Sequence, residues 1–466
     1  MLGDIRKNPI MLTDVYNLSH ERLKVNTDFE VSHMYNRANP MILYGLKEIV
    51  NSILSKKITM SMVNKADKLA EQRGLSFPKE LWKRVVTECN GRIPIKIEML
   101  PEGTYCPINT PFAQIRNTVK GFGEMVTWLE AILMHGWFPS ACATEAFNMK
   151  KYLVERQNQF GYDDGFLWKF HSFGFRGHKS LEDSYFAGTA WSLFLQGTDD
   201  FHVFQHMPNG VMGSISALAH KVTQQFDDEY ECFIHTIDAT KEVGEGIVAM
   251  VIDTYNAWNV INKWVTPLTE YAKSKGVKVV WRPDSGDIFD QTVAIYKIAK
   301  ENDLLNSCAV IVGEGMSFEE AKKFDSKLLD YDVPINFVNY GIGAGFYKNL
   351  ERDTLGWAMK TAFSNGQPRM KLVPTEPIKQ SIPNIVHLTY NNGDMVVQDG
   401  DGEGLYEVIY EYIPSGNEAY IATVNSRHFD EVRSRAYAQK TTQEKILLSK
   451  ETQALINSFH EKYDIK

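Results

Sequence analysis

One pattern limits what this 466-residue chain can fold into more than any other. Between about Phe166 and Asp353 an apolar run, a polar tip and a helical stretch recur in that order. "GIVAMVIDTYNAWNVINKW" closes its apolar run at Asp253. "GVKVVWRPDSGDIFDQTVAIYKIAK" repeats the plan, with Ile295, Ile298 and Ala299 at i, i+3, i+4 spacing. "CAVIVGEGMSFEEAKKF" does so again, with Ser317 as N-cap and Glu320 three residues on. "PINFVNYGIGAGFYKNL" is the fourth. The tips lie roughly thirty residues apart, the size of one βα repeat. Val/Ile-rich runs without alternation are expected where a strand is buried on both faces, as in a parallel sheet.

Upstream, "FLWKFHSFGFRG" followed by "HKSLEDSYFAGTAWSLFLQGTDD" reads as strand, loop and helix, with Ser180 as the cap and Asp183 three residues on. Because every tip carries polar residues, an irregular parallel β/α barrel is favoured over a doubly wound sheet. A barrel gathers all its tips at one end, whereas an open sheet uses one or two at a switch point. The flanks differ. Residues 95–120 alternate and turn often, which predicts antiparallel strands. "GEMVTWLEAILMHGW" predicts one long amphipathic helix, and "ISALAHKVTQQF" a helical stretch. Residues 370–425 read as strands and loops, "YNNGDM" signals a hairpin, and the last thirty residues read as charged and helical. The expected organisation is a barrel over 161–355 and a mixed α+β domain assembled from 1–160 and 356–466.

Composition narrows the function classes. A hydrophobic fraction of 44% and a charged fraction of 23% suit a folded core, and the net charge of −8 argues against a general binder of nucleic acid or anionic membrane. An anionic substrate then requires a local cationic pocket. Cys89, Cys106, Cys142, Cys232 and Cys308 are odd in number and lack any CxxC, which predicts reduced thiols and a cytoplasmic setting. "MLGDIRKNPIMLTDVYNLSH" has no apolar h-region, so no signal peptide is expected, and no run approaches the ~18 apolar residues of a membrane span.

The tips and neighbouring segments offer Arg176, Asp199, His220, Asp253, Arg282, Asp284, the glycines at 313 and 315, "GIGAG" at 341–345, and Arg352. Arginines match phosphate oxygens bidentately, glycine loops expose backbone N–H groups, and carboxylates take ribose hydroxyls or magnesium. Together they fit a sugar phosphorylated at both ends. Taken singly, each has a plainer reading: Arg282 and Asp284 as an ion pair capping a strand, His220 as packing or surface, Asp199 as a turn residue. "GIGAG" lacks the GxGxxG spacing, and neither GxxxxGK[ST] nor GxSxG occurs. "HVFQH" reads as a loop without the zincin glutamate, which disfavours a zinc site.

"FGFRG" (173–177), "GTD" (197–199), "SISALAH", "VIDTYN" (251–256), "RPDSG" (282–286), "GEG" (313–315) and "YGIGAGFYKNLERD" (340–353) occur in an order that resembles the nicotinate/nicotinamide phosphoribosyltransferase family, its nicotinamide branch above all. "LTDVYNLSH" (12–20), "PEG" and "NTPF" (101–112) match as well, so the resemblance covers about residues 12 to 385. It implies the type II phosphoribosyltransferase barrel and a pentosyltransferase of NAD salvage. Phosphoribose passes from phosphoribosyl pyrophosphate to nicotinamide, giving nicotinamide mononucleotide and pyrophosphate with the help of Mg²⁺. At the matching positions Phe173 and Tyr16 sandwich the pyridine, with Tyr16 and the cation Arg37 supplied by the second subunit of a homodimer. Asp199 accepts the carboxamide N–H. Arg176, His220 and Arg282 face the pyrophosphate, and Asp253 and Asp284 organise ribose and magnesium. Gly313, Glu314, Gly343, Ala344 and Arg352 hold the ribose and 5′-phosphate.

The resemblance also implies ATP as a coupling substrate through phosphorylation of His220. Four positions depart from the family pattern: Ala219 replaces a glutamate beside that histidine, Lys221 a serine, Ala344 a glycine and Glu314 an aspartate. Phosphoribosyl transfer with weakened ATP stimulation is therefore expected. The alternatives are a nicotinate phosphoribosyltransferase and a catalytically weak protein that binds pyridine nucleotides. Asp287 has no assigned role beyond capping the helix that follows it.

Overall fold

The structure is a computed structural model that describes residues 6–23, 27–207, 212–439 and 443–463. The chain divides into two compact units, Met1–Thr144 with Leu350–Lys466, and Glu145–Asn349. These boundaries fall earlier in the chain than the 160/161 and 355/356 read from the sequence.

The second unit is built on seven parallel strands, labelled here in chain order: β1 (Phe170–Ser172), β2 (Gly197–Thr198), β3 (Ser216–Leu218), β4 (Ile247–Val251), β5 (Lys278–Arg282), β6 (Cys308–Val312) and β7 (Val338–Ile342). Their hydrogen-bonded order is β2-β1-β7-β6-β5-β4-β3. A parallel bridge from Gly197 to Gly213, just ahead of β3, joins the two edges. The sheet is therefore a ring in which every strand lies beside its neighbours in sequence. Closure removes the exposed strand edges. The seam is narrow: Thr198 N donates to Gly213 O at 3.0 Å, and Gly213 N to Gln196 O at 3.0 Å. A Cβ on Gly197 would lie 2.7 Å from both His171 Nδ1 and Phe170 O, so only glycine fits there.

Helices follow most of the tips and begin where the side chains dictate. Ser180 accepts from Asp183 N ahead of Leu181–Ser192, and Ser317 from Glu320 N ahead of Phe318–Asp330. Asp287 accepts from Asp290 N and caps Ile288–Glu301, which accounts for that carboxylate. "ISALAHKVTQQF" is not all helix. Ser216–Leu218 is strand, and His220 opens the single turn His220–Thr223, because the backbone of β3 is held by β4 before the helical turn can begin. "HVFQH" is a short 3-10 helix, Phe201–His206.

Inside the ring Ala249, Val280, Ala309 and Ile311 form the core, with Phe173 packed against them from the C-terminal end. At the N-terminal ends a cavity of ≈ 830 Å³ reaches inward past Lys169 and His171 to Val280 and Ile311. Lys169 is 1% and Asp325 2% exposed, and their charges meet at 3.0 Å. Lys169 Nζ also donates to Val338 O at 2.6 Å, while Asp325 accepts from Tyr152 and Tyr340 hydroxyls, each at 2.7 Å. Burial pulls the ammonium pKa down, and the aspartate opposes it.

The first unit carries an antiparallel seven-stranded sheet in the order 367–368, 357–364, 30–36, 111–117, 95–99, 407–413, 418–421. The hairpin Val386–Asn391 with Asp394–Asp399 turns through Asn392 (φ 52) and Gly393 (φ 91), the two positive φ values that a two-residue primed turn needs. "GEMVTWLEAILMHGW" is not one helix. It forms Glu124–Trp128 and Glu130–Met134, and its last residue, Trp137, opens the long helix Trp137–Phe160. Met125, Val126, Trp128, Leu129, Ile132 and Leu133 are all buried and keep the i, i+3, i+4, i+7, i+8 spacing of one amphipathic stripe, which runs on across the break at Leu129. No helix among the described residues is long and apolar enough to cross a membrane.

Asp325→Ala should cost about 3–5 kcal/mol, because it strands the Lys169 charge in the interior. Denaturant unfolding should show this, and Lys169→Met added to Asp325→Ala should recover part of the loss.

Candidate active site

Because the strands are parallel and closed, their C-terminal ends share one rim. Phe173 N donates to Ile342 O at 2.9 Å, fixing the tip of β1 beside β7. Asp199 N donates to Ser172 O at 2.9 Å, fixing the tip of β2 beside β1. Ile252 N donates to Arg282 O at 3.2 Å, fixing the tip of β4 beside β5. His220 follows β3, Gly313 and Glu314 follow β6, and Gly343 and Ala344 follow β7. Eleven of the residues singled out from the sequence thus stand on this one rim: Phe173, Arg176, Asp199, His220, Asp253, Arg282, Asp284, Gly313, Glu314, Gly343 and Ala344.

The Phe173 ring is seated by what its neighbours lack. A Cβ on Gly341 would sit 1.9 Å from Phe173 Cε2, so only glycine leaves room for the ring. The Arg282 guanidinium lies 6.0 Å from the ring centroid. Arg282 donates to Asp284 Oδ2 at 2.9 Å, the ion pair foreseen as its plainer reading, yet its Nε is buried with no partner among the described residues. Arg176 lies exposed in the 3-10 turn Phe175–Gly177.

Asp253 is fully engaged. Its Oδ1 accepts from His220 Nε2 at 3.0 Å, and its Oδ2 accepts from Ser285 Oγ. The side chain of Asp253 is 8% exposed and that of His220 40%. With Nε2–H committed to the carboxylate, the imidazole lone pair resides on Nδ1. The carboxylate expected to be a metal ligand therefore also orients the histidine. Among the described residues no group of three or more His, Cys, Asp or Glu side chains gathers to hold a metal. Asp284 is held by Arg282 and Asp253 by His220 and Ser285, and carboxylates are the hard-oxygen donors that magnesium takes beside phosphates and water.

The two aspartates of "GTDD" have separate roles. Asp199 is exposed and accepts from Ser214 Oγ. Asp200 is 2% exposed; it accepts from Ser172 Oγ at 2.6 Å and from Phe175 N at 2.9 Å, clamping the "FGFRG" turn. Sequence reasoning passed over Asp200, Ser214 and Ser285. Alternation at a strand end, which sends consecutive side chains to opposite sides, was the signal that separates Asp199 from Asp200.

The other three expected residues belong to the first unit. Tyr16 is 56% exposed in the 3-10 turn Val15–Ser19, and its hydroxyl pKa is raised by burial and then by Glu130 and Asp14. Arg352, expected in the barrel, opens the helix Arg352–Leu355 of this unit and is paired with Asp353 at 2.9 Å. That helix is anchored here because Arg37 N donates to Leu355 O at 3.0 Å. Arg37 itself is buried, and its Nε and one terminal nitrogen have no partner among the described residues. Burial lowers its pKa. Lys360, another residue the sequence did not flag, has its pKa lowered by burial, with the charges of Arg37, Lys371 and Arg352 adding to the effect and Glu130 opposing it. Arg37, Lys360, Lys371 and Arg352 thus lie close enough for their charges to interact, with Glu130 3.8 Å from Lys360.

A closed parallel ring with cations, carboxylates and glycine turns on its C-terminal rim defines an α/β barrel suited to phosphorylated sugars. The family model "Nicotinate phosphoribosyltransferase (NAPRTase) family" matches residues 168–381, and "Nicotinamide phosphoribosyltransferase, N-terminal domain" matches residues 8–97. A nicotinamide phosphoribosyltransferase of Xanthomonas campestris is 27% identical over 376 residues, covering 76% of this chain and 80% of that protein. One from Acinetobacter baylyi is 25% identical over 316 residues, covering 59% of this chain and 62% of that protein. The crystal structure of human nicotinic acid phosphoribosyltransferase shares the fold, with a TM-score of 0.64 at 16% identity over 96% of this chain and 100% of that one. The chain belongs to the nicotinate/nicotinamide phosphoribosyltransferase family.

Replacing Asp200 with Ala should release the Phe175 amide. A hydrogen bond to a charged group is worth about 1.5–3 kcal/mol, so exchange of that amide should accelerate at least about tenfold. Amide hydrogen exchange should show this while β4 remains protected.

Proposed function

We propose that this chain transfers 5-phosphoribose from phosphoribosyl pyrophosphate to nicotinamide, giving nicotinamide mononucleotide and pyrophosphate in NAD salvage. The observation that carries this reading is the pairing of an exposed carboxylate with a seated aromatic ring: Asp199 N bonds to Ser172 O, immediately beside Phe173. The ring offers a face to a pyridine, and the carboxylate offers an acceptor to an amide N–H. A carboxylate in that place repels nicotinate, and close like charges cost several kcal/mol.

The pyridine nitrogen attacks the anomeric carbon with its lone pair as the carbon–oxygen bond to pyrophosphate breaks. The leaving group takes both electrons of that bond. The nitrogen carries no proton, so no general base is needed. Positive charge grows on the sugar and then on the ring, and the Phe173 face favours it by ~0.5–2 kcal/mol. Arg176 and Arg282 take the charge growing on the departing pyrophosphate. Asp284, held by Arg282, faces the sugar. Gly313, Glu314, Gly343 and Ala344 hold the ribose and its 5′-phosphate. Magnesium, when bound by Asp253 and Asp284, supplies further neutralisation of the pyrophosphate.

Asp253 orients His220 so that Nδ1 faces a phosphoryl donor, and ATP couples to the reaction there. Ala219 leaves Asp253 as the carboxylate that orients His220, so the stimulation is weak. The enzyme acts as a homodimer in which a second copy supplies Tyr16 and Arg37, and Arg352 adds to the phosphate contacts. Arg37, buried with two nitrogens unpartnered among the described residues, suits a phosphate ligand. Five buried cysteines, none of them in a disulfide, suit the cytoplasm.

Asp199→Ser should lower the nicotinamide-to-nicotinate ratio of kcat/KM by at least about tenfold, the scale of a lost like-charge repulsion. Product analysis from an equal mixture of the two pyridines checks it, and an unchanged ratio removes the role given to Asp199. His220→Ala should abolish whatever stimulation ATP gives and leave magnesium-dependent transfer in place. Turnover with and without ATP decides this, and strict ATP dependence of the unaltered protein would contradict weak coupling.

A further inference from the structure

Ser214 enters none of the roles above, yet the barrel's closure places it. Gly213 makes two backbone hydrogen bonds across the seam, and Ser214 is the next residue. Its hydroxyl donates to Asp199 Oδ1 at the tip of β2, and both residues are exposed. Asp199 Oδ2 has no partner among the described residues. A serine hydroxyl has one hydrogen to donate, and an ionised carboxylate only accepts. The hydrogen spent on Asp199 is therefore withheld from any other acceptor.

We propose that Ser214 is a specificity-determining positioning residue that aims Asp199 Oδ2 at a ring carboxamide and, by committing its only donor, denies that donor to a ring carboxylate. The proposal rests on the reading of Asp199 as the amide acceptor. It adds a second element of discrimination: Asp199 repels an acidic pyridine, and the same hydrogen bond removes a group that would have welcomed one. Loss of the Asp199 carboxylate frees the hydroxyl to turn toward a substrate carboxylate, so preference at this rim depends on the pair and not on either residue alone. The consequences are non-additive, as expected of two residues in direct contact.

Steady-state kcat and KM for nicotinamide, nicotinate and phosphoribosyl pyrophosphate should be measured in the full chain and in Ser214→Ala, Ser214→Thr, Asp199→Ala and the double variant Asp199→Ala/Ser214→Ala. Ser214→Ala should raise the KM for nicotinamide about tenfold, the scale of one charge-assisted hydrogen bond, with the KM for phosphoribosyl pyrophosphate unchanged. Ser214→Thr, which keeps the hydroxyl, should restore it. Asp199→Ala should gain nicotinate turnover, and the double variant should lose that gain. An unchanged nicotinamide KM in Ser214→Ala, or a double variant that keeps the nicotinate gain, overturns the proposal while leaving the role of Asp199 intact. Asp199→Ala with unaltered preference overturns both. Should Ser214→Ala fail to fold, Ser214→Cys, a weaker donor, carries the same comparison.

Discussion

The pair of backbone hydrogen bonds across the Gly197–Gly213 seam is the constraint on which the rim depends. Without it the seven strands would form an open sheet, and the tip of β2 would end an edge far from the tip of β3. With it, each tip has a neighbour on both sides, and groups distant in sequence face a common centre. Glycine at 197 is a condition of that closure, because a methyl group there would strike the His171 ring and the Phe170 carbonyl. The catalytic arrangement thus rests on backbone geometry before any side chain is placed.

Much of this was legible in the sequence because β4 to β7 announce themselves. Their apolar runs are long, and each ends in a polar group followed by a helical pattern with a cap such as Ser317 or Asp287. β2 and β3 are two and three residues long, too short for any periodicity, and Ser216–Leu218 merges into the turn at His220. Local pattern could not show which of the two was strand, because pairing with β4 decides it. The segment 124–134 misled for the opposite reason. Its apolar residues keep the spacing of a single stripe, and that spacing carries no mark of the break at Leu129.

The site was legible residue by residue and less so in its connections. Arg282 and Asp284 were read both as an ion pair and as substrate contacts, and the geometry allows both, because one guanidinium nitrogen is committed and Nε is not. Asp253 was read as a ligand for sugar and metal, yet it also holds His220. Asp200 took no part in the sequence reading, and the fold gives it surroundings unlike those of Asp199. Hydrogen bonds between side chains thirty residues apart, such as Ser285 with Asp253, leave no mark in a linear pattern. The placement of Arg352 was missed because the chain leaves the barrel soon after its last tip, and a short helix looks alike in either unit.

The cations of the first unit carry a thermodynamic consequence of their own. The Arg37 guanidinium is buried with two nitrogens unpartnered among the described residues, near an ammonium whose charge is disfavoured by burial and then by neighbouring cations, and both weigh against the folded state. A polyanion that bound among Arg37, Lys360 and Lys371 only in the folded state would offset that cost, and its binding would then be linked to folding.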